Sequence, residues 1–427
     1  MSVASAIENV PQSDISVGSN SRSDEPSDCR LEPGLVDRWS RQLVLQRLSR
    51  IVAGRIIIDD GCDRFVVGTT QDDDSVVRMQ VRSHCFYRRL IAGGSLGFAE
   101  SYMDGEWDTD NLPKLIRIFA RNRNVLQKAN RGVAAAAKTV SRLGHWLSRN
   151  TRTGSRRNIE AHYDLGNEFF RLFLDPTMMY SAAIFDQPDQ SLEDAQTARL
   201  DHICRRLDMQ PGDEVVEIGT GWGGFAIHAA KHFGCRVTTT TISQRQYEWA
   251  KRRVAEEGLE DRIELLFDDY RDLSGRYDKL VSIEMVEAVG HQFYDQYFAK
   301  CASLLKPDGR MLLQAIVMPE QRYKAYVKSV DFIQKYIFPG GSLPSVTAMQ
   351  DAVARASNLR MIEVADFADG YAQTLREWRR RFRDRIDEVR AQGYSEKFIR
   401  MWDYYFCYCE AAFDERAVGV VHAVWGR

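Results

Sequence analysis

The chain has 427 residues, of which 44% are hydrophobic and 28% charged, with a formal net charge of −2. At ~150 residues per domain this allows two or three domains with sizeable cores, and it excludes a collagen-like, low-complexity or wholly disordered chain. No apolar run approaches the ~20 residues needed to cross a bilayer.

Residues 1–30 are rich in Ser and Asp and poor in aromatics, which predicts a disordered tail. They lack a basic start followed by an apolar run, so no secretory signal is expected. From Leu35, the apolar positions Val36, Trp39, Leu43, Leu48 and Ile51 recur at helical spacing. The segments GRIIIDDG, RFVVGTT and SVVRMQV then read as short strands bounded by turn residues. GGSLGFAESYMDGEWD leads into LPKLIRIFARNRNVLQ, which reads as one basic amphipathic helix. Residues 31–130 are thus expected to form a small α+β unit, and the Ala-, Gly- and Arg-rich residues 131–157 a basic linker.

Past residue 158 the pattern changes. EVVEIGTGWGG reads as a strand, a glycine turn and the start of a helix, and CRVTTTTI as a β-branched strand. SQRQYEWAKRRVAEEG is a helix with Ser243 as its N-cap and Gly258 at its end. RIELLFDD, DKLVSIEM, GRMLLQAIVM, MIEVADF and VGVVHAVW read as further strands, with a helix near 293–305. Such alternation predicts a doubly wound, mostly parallel sheet over residues 158–427. The insertion 319–358 and an Arg/aromatic helix over 373–392 are placed at its carboxyl edge. Trp378, Phe382, Trp402, Tyr404, Tyr405 and Phe406 form an aromatic set that reads as core or as the wall of an acyl tunnel.

Charge is unevenly spread. Between Lys114 and Arg157 there are twelve basic residues and no acidic one. That asymmetry points to an anionic partner, with phospholipid headgroups favoured over nucleic acid because few aromatics interleave the basic residues for base stacking. A solvated basic linker is the alternative. The eight cysteines are scattered and imply a reduced, cytoplasmic chain without a disulfide framework. His202, His228 and His232 have no metal-ligand spacing, so no metal is expected.

The turn from Gly219 to Gly224 fits both the dinucleotide fingerprint and the adenosylmethionine turn. Glu217, two residues before the first glycine, would repel a pyrophosphate but suits an ammonium group. A nicotinamide cofactor also asks for an acid at the end of the next strand, where this chain has Thr239, Thr240, Thr241, Ile242 and Ser243. These features favour S-adenosylmethionine. Neither Trp222 nor Glu217 shows a packing purpose in the sequence.

At these motifs the chain resembles the cyclopropane-fatty-acyl-phospholipid synthases and their mycolic acid relatives. The resemblance rests on AHYDLGNEFF, DPTMMYSAAIF, VVEIGTGWGG, TTTISQRQ, SIEMVEAVG, YIFPGGSLPS, YAQTLREWRRRF and RMWDYYFCYCEAAF. GFAESYMDGEWD is similar to the family's N-terminal lipid-binding domain. EMVEAVG and QAIVMP place the chain near a subgroup thought to make methyl-branched or methylene fatty acids.

The resemblance implies a Rossmann-like methyltransferase domain. It implies cofactor contacts at Tyr180, Ser181, Gly219, Gly221, Gly223, Thr241 and Gln246, and at Asp269-Tyr270, where the family has Gly-Trp. The implied reaction is methyl transfer to the cis double bond of a phospholipid acyl chain, through a carbocation, giving a cyclopropane ring. In the family a bicarbonate ion held by Cys, Glu, His and Tyr takes the proton. Glu287 and Tyr371 match two of these, but Ala182 stands at the cysteine and Gln314 at the histidine. The anion is therefore expected to bind more weakly or elsewhere, with a methylene or methyl branch as the alternative product. Glu284, three residues before Glu287, would share its face on a helix. Cys409 matches a cysteine suspected of a catalytic role, with an inert thiol as the other reading. A methylene product would call for a separate reductase, and a homodimer would double the footprint on the inner face of the membrane. A small-molecule methyltransferase and a catalytically silent lipid-binding module are the competing functions.

Overall fold

The computed structural model describes residues 34–69, 76–128 and 165–427. The expected disordered tail, the whole basic linker 131–157 and the first residues of the AHYDLGNEFF motif lie outside these. The chain divides into two compact units, one of residues 1–140 with 395–411, the other of 141–394 with 412–427.

The first unit holds a four-stranded sheet of β1 (Gly54–Asp59), β2 (Arg64–Thr69), β3 (Val76–Val81) and β4 (Trp107–Thr109), in the order β2-β1-β3-β4. β1 runs antiparallel to β2 and parallel to β3. Alternate residues of each strand, such as Ile56, Ile58, Val67, Val77 and Met79, are buried. The expected basic helix is split into Leu112–Arg121 and Arg123–Lys128. The break at Asn122 has a local cause. Its buried carboxamide accepts from Val52 N and Ala53 N and donates to Ala53 O and Ile118 O, so the side chain serves the backbone entering β1.

Residues 395–411, within the expected domain 158–427, group with the first unit. Arg400 explains why. Its guanidinium lies over the Tyr102 ring, 4.0 Å from the centroid, and donates to Trp107 O at 2.9 Å, while Tyr102 Oη donates to Asp403. The aromatic set divides with it: Tyr404 packs near Phe98 and Tyr102, whereas Trp378 and Phe382 pack with Phe173 in the second unit.

The second unit is built on a seven-stranded sheet. Its strands are β5 (Glu214–Ile218), β6 (Arg236–Thr240), β7 (Ile263–Leu266), β8 (Tyr277–Ile283), β9 (Leu305–Val317), β10 (Arg360–Asp366) and β11 (Gly419–Gly426). The order is β10-β11-β9-β8-β5-β6-β7, with the five strands from β9 to β7 parallel and β11 antiparallel to both its neighbours. Alternate residues feed two core layers. Val216, Ile218, Leu280 and Leu313 join Phe298, Met349 and Trp425, while Val215, Val281 and Leu312 join Ile203, Phe225 and Val254. Ser191, Ser243 and Ser345 each accept a backbone N–H at a helix start, as the sequence signalled for Ser243.

The chain leaves β5 toward β6 and β7, then returns to β8 on the other side. The topological switch point therefore lies between β5 and β8, where ligands of such sheets bind.

Candidate active site

On the β5 side, Gly219, Gly221 and Gly223 all have positive φ, at +101°, +53° and +87°. A methyl group on Gly221 would meet nothing within 4 Å, so the turn borders open space. On Gly219 it would press against Met285 Cγ at 3.2 Å, which brings the turn against the segment that follows β8. Glu217 is buried and its Oε2 accepts from Thr239 Oγ1 at 2.6 Å. Burial pushes its carboxyl up to about 8, against the opposing pull of Thr239 and Arg199. Thr241 Oγ1 donates to Gln246 Oε1 at 2.9 Å, both buried.

Trp222 does have a packing role: its ring lies 5.1 Å from that of Phe170 and its Nε1 donates to Asn167. Tyr180 sits among Phe170, Phe173, Phe338 and Trp378. Ser181 is buried and its Oγ has no hydrogen-bond partner among the described residues. Asp269 caps the short turn Tyr270–Asp272, and the Tyr270 ring packs on Tyr297 within the core.

On the β8 side the centre is Glu284. β8 ends at Ile283, Glu284 takes a left-handed φ of +49°, and only a single 3₁₀ turn, Val286–Ala288, follows. Glu284 and Glu287 thus do not share a helical face as the spacing suggested. Glu284 Oε1 accepts from Ala182 N at 2.9 Å and Gln314 Nε2 at 2.7 Å, and its Oε2 accepts from Tyr371 Oη at 2.7 Å. Burial pushes its carboxyl up, against the opposing pull of Ala182, Tyr371, Gln314 and Arg199, and the residue keeps some accessible surface.

Gln314 faces Ile283 across β8–β9 and His422 across β9–β11. Its Oε1 accepts from Arg199 at 3.4 Å and from His422 Nε2 at 3.0 Å, which fixes the amide with its N–H₂ toward Glu284. Arg199 is fully buried, and burial lowers its guanidinium to about 10 although Glu284, Asp175, Tyr371 and Glu217 hold the charge there. Burial drives His422 well below its usual range, so it is neutral.

Glu287 stands beside this group. Its Oε1 accepts from Ile316 N at 2.6 Å, its backbone carbonyl accepts from Ser342 N in the returning insertion, and its Oε2 is buried without a partner. Burial, then the Glu284 charge, pushes its carboxyl up to about 8. Cys409 lies on the 395–411 segment grouped with the first unit.

The structure therefore draws Gln314 and Tyr371 onto Glu284 and leaves Glu287 alongside. Arg199 and His422 were not anticipated. Arg199 left a signal, since it falls at helical spacing with Leu192, Ala195, Gln196 and Ile203, a charge on an apolar face. The donors that the resemblance suggested for bicarbonate are spent on Glu284, so these residues do not fit that ion. Among the described residues no His, Cys, Asp or Glu cluster could hold a metal, and no helix is long and apolar enough to cross a membrane.

The family model described as mycolic acid cyclopropane synthetase matches residues 150–423. The chain belongs to this family. It is 40% identical over 350 residues to the tuberculostearic acid methyltransferase UfaA1 of Mycobacterium tuberculosis, covering 78% of this chain and 79% of that one. It is 37% identical over 355 residues to the cyclopropane-fatty-acyl-phospholipid synthase of Escherichia coli K12, with 82% and 87% covered. The solved structure of mycolic acid cyclopropane synthase CmaA1 complexed with SAH and CTAB matches at 30% identity and a TM-score of 0.60, over 64% of this chain and 98% of that one. The chain is accordingly an S-adenosylmethionine-dependent methyltransferase of the cyclopropane synthetase family, with the α/β fold of that family.

Proposed function

We propose that the protein methylates the cis double bond of an unsaturated phospholipid acyl chain, and that the product is a methylene or methyl branch. The observation that carries this reading is the pairing, across the β5–β8 switch point, of an open glycine turn with a carboxylate cluster. S-adenosylmethionine supplies an electrophilic methyl group on a sulfonium. The left-handed turn at Gly219, Gly221 and Gly223 leaves room for it, and Tyr180, Ser181, Glu217, Thr241 and Gln246 would hold it, with Asp269-Tyr270 at the far end. The unpartnered Ser181 Oγ and the buried Glu217 carboxylate fit a ligand that brings donors and positive charge.

When the alkene π pair bonds the methyl carbon, positive charge appears on the chain. The aromatic set of Tyr180, Trp378 and Phe338 offers ring faces, and the carboxylates offer negative potential, where that charge develops. The charge is lost with one proton. A ring forms if a C–H pair of the new methyl closes onto the cationic carbon; a methylene branch forms if a hydride first shifts from the methylated carbon to the cationic one and a methyl C–H pair then makes the double bond. The UfaA1 likeness and the absence of the expected Cys and His at Ala182 and Gln314 favour the branch, and the Escherichia coli relative favours the ring.

The first unit and the basic residues from Lys114 onward would dock to anionic headgroups on the inner face of the membrane, which predicts vesicle binding that weakens with salt. The deciding experiment incubates the protein with labelled S-adenosylmethionine and vesicles of monounsaturated phospholipid. Gas chromatography–mass spectrometry detects the added carbon, and NMR separates ring from methylene, which are isomers. Label in the acyl chain as a branch is expected, a ring as sole product overturns the branch, and no label overturns lipid methylation.

A further inference from the structure

We propose that the Glu284 carboxylate is the base that takes the proton released at the end of the reaction, so that the chain carries its own anion and needs no dissolved one. The inference rests on the methyl-transfer reading above and names the group that completes it.

Four features of the structure converge on Glu284. Its place is the carboxyl end of β8 at the switch point. The next residue, Met285, abuts the glycine turn, and one of its three donors, Ala182 N, belongs to the residue after Tyr180-Ser181. The residue thus adjoins the glycine turn through Met285 and is tied to the Tyr180–Ala182 segment by its carboxylate. Its backbone is strained: φ is +49° in a residue with a long side chain, a conformation that persists where the surroundings over-determine it.

Its hydrogen bonding is incomplete in a useful way. A carboxylate has about four acceptor positions. Ala182 N and Gln314 Nε2 occupy both on Oε1, and Tyr371 Oη occupies one on Oε2. The remaining lone pair is on Oε2, and the residue keeps accessible surface.

Charge separates the two acids. Burial raises the Glu284 carboxyl, but three donors and a buried positive charge, Arg199 reaching it through Gln314 Oε1, oppose that and favour the ionised form. Glu287 has one backbone donor, an unpartnered Oε2 and the Glu284 charge beside it, so it keeps its proton. Glu284 is the anion of the pair and Glu287 the neutral acid.

The step balances simply. The C–H bonding pair of the cation stays on carbon and becomes the new C–C or C=C bond, while the proton moves to Oε2. The substrate goes from cation to neutral and Glu284 from carboxylate to carboxylic acid. No further reactant is required.

The test uses the full chain, S-adenosylmethionine and monounsaturated phospholipid vesicles. In buffer stripped of carbon dioxide, the wild-type rate is expected to equal that with added bicarbonate. A wild-type rate that requires bicarbonate overturns the inference while leaving lipid methylation intact. If no lipid is methylated under any condition, the methyl-transfer reading falls and this one with it.

Glu284→Gln keeps the shape and removes the basic site, and turnover is expected to fall by about 10²–10⁴-fold. Retained turnover overturns the inference. Glu284→Gly opens the same space, and formate or bicarbonate should restore part of its rate but none of that of Glu284→Gln. A purely structural glutamate would give no such rescue. Calorimetry with S-adenosylmethionine checks that both variants still bind the donor. A readout independent of turnover is ¹³C NMR of labelled bicarbonate, expected to show binding by Glu284→Gly and none by wild type; binding by wild type overturns the inference. Should Glu284→Gly fail to fold, the wild-type bicarbonate series and Glu284→Gln decide.

Discussion

The two sides of the switch point are built differently. On the β5–β6 side, Glu217, the three turn glycines, Thr239, Thr241 and Gln246 all fall within residues 217–246, and each owes its geometry to near neighbours in the chain. On the β8–β9 side, Ala182, Arg199, Glu284, Gln314, Tyr371 and His422 come from six separate segments and meet only because the sheet and the helix Ala368–Asp384 bring them together. One half is a local motif and the other a convergence. The local half should tolerate damage elsewhere and fail by losing ligand. The convergent half should fail by losing stability and turnover together.

The sharpest way to break this contrast is Arg199→Met. It removes the buried cation while Glu284, Glu217 and Asp175 stay in place. Leaving an uncompensated buried charge costs about 3–5 kcal/mol, so denaturant melts should shift strongly, while the folded fraction still binds S-adenosylmethionine. Unchanged stability would show that Arg199 does not balance Glu284.

Tyr371→Phe comes next. It deletes one hydrogen bond to an ionised acceptor, about 1.5–3 kcal/mol, and steady-state kinetics should show kcat down about ten- to hundredfold with the apparent KM for S-adenosylmethionine unchanged. A rise in KM alone would put the hydroxyl on the donor's side of the site.

Gly221→Ala probes the local half. The left-handed backbone makes any side chain cost about 1–2 kcal/mol, and the new Cβ points into the open space. Calorimetry should show weakened donor binding, with the buried Glu284 network and its stability intact.

A pH slope tests both halves together. Folding raises the carboxyls of Glu217 and Glu287 from 4.5 to about 8. Between those values the folded chain holds more protons than the unfolded one, so their contribution is full below about 4.5 and is lost as pH rises through about 8. The ligand-free protein should melt at lower temperature at the alkaline end of this window, and the double substitution Glu217→Gln, Glu287→Gln should flatten the slope. A slope left unchanged by the double substitution would mean that these acids do not hold their protons in the folded chain.

The order of strands and helices was legible because apolar periodicity and turn residues act over a few positions, as Ser243 and the Gly219 turn illustrate. Breaks at Asn122 and Arg385 were not. Each side chain there serves distant backbone: Asn122 the residues before β1, and Arg385 the carbonyls of Arg171 and Leu172. The site was half legible. Tyr371 and Gln314 were singled out by motif, but the residue they serve, Glu284, was read as a helical neighbour of Glu287. Its left-handed turn is set by the end of β8 and by Gln314 O accepting its N–H, and neither leaves a mark in the local sequence.

By itself, then, the sequence determined what is encoded over short distances: a parallel α/β sheet, a glycine turn beside an acid, and capped helices around them. The tertiary structure alone decided which acid is given donors and a counter-charge. That choice depends on burial, on donors from β9 and from the helix Ala368–Asp384, and on the field of a guanidinium from the helix Leu192–Arg206, all of them through-space quantities.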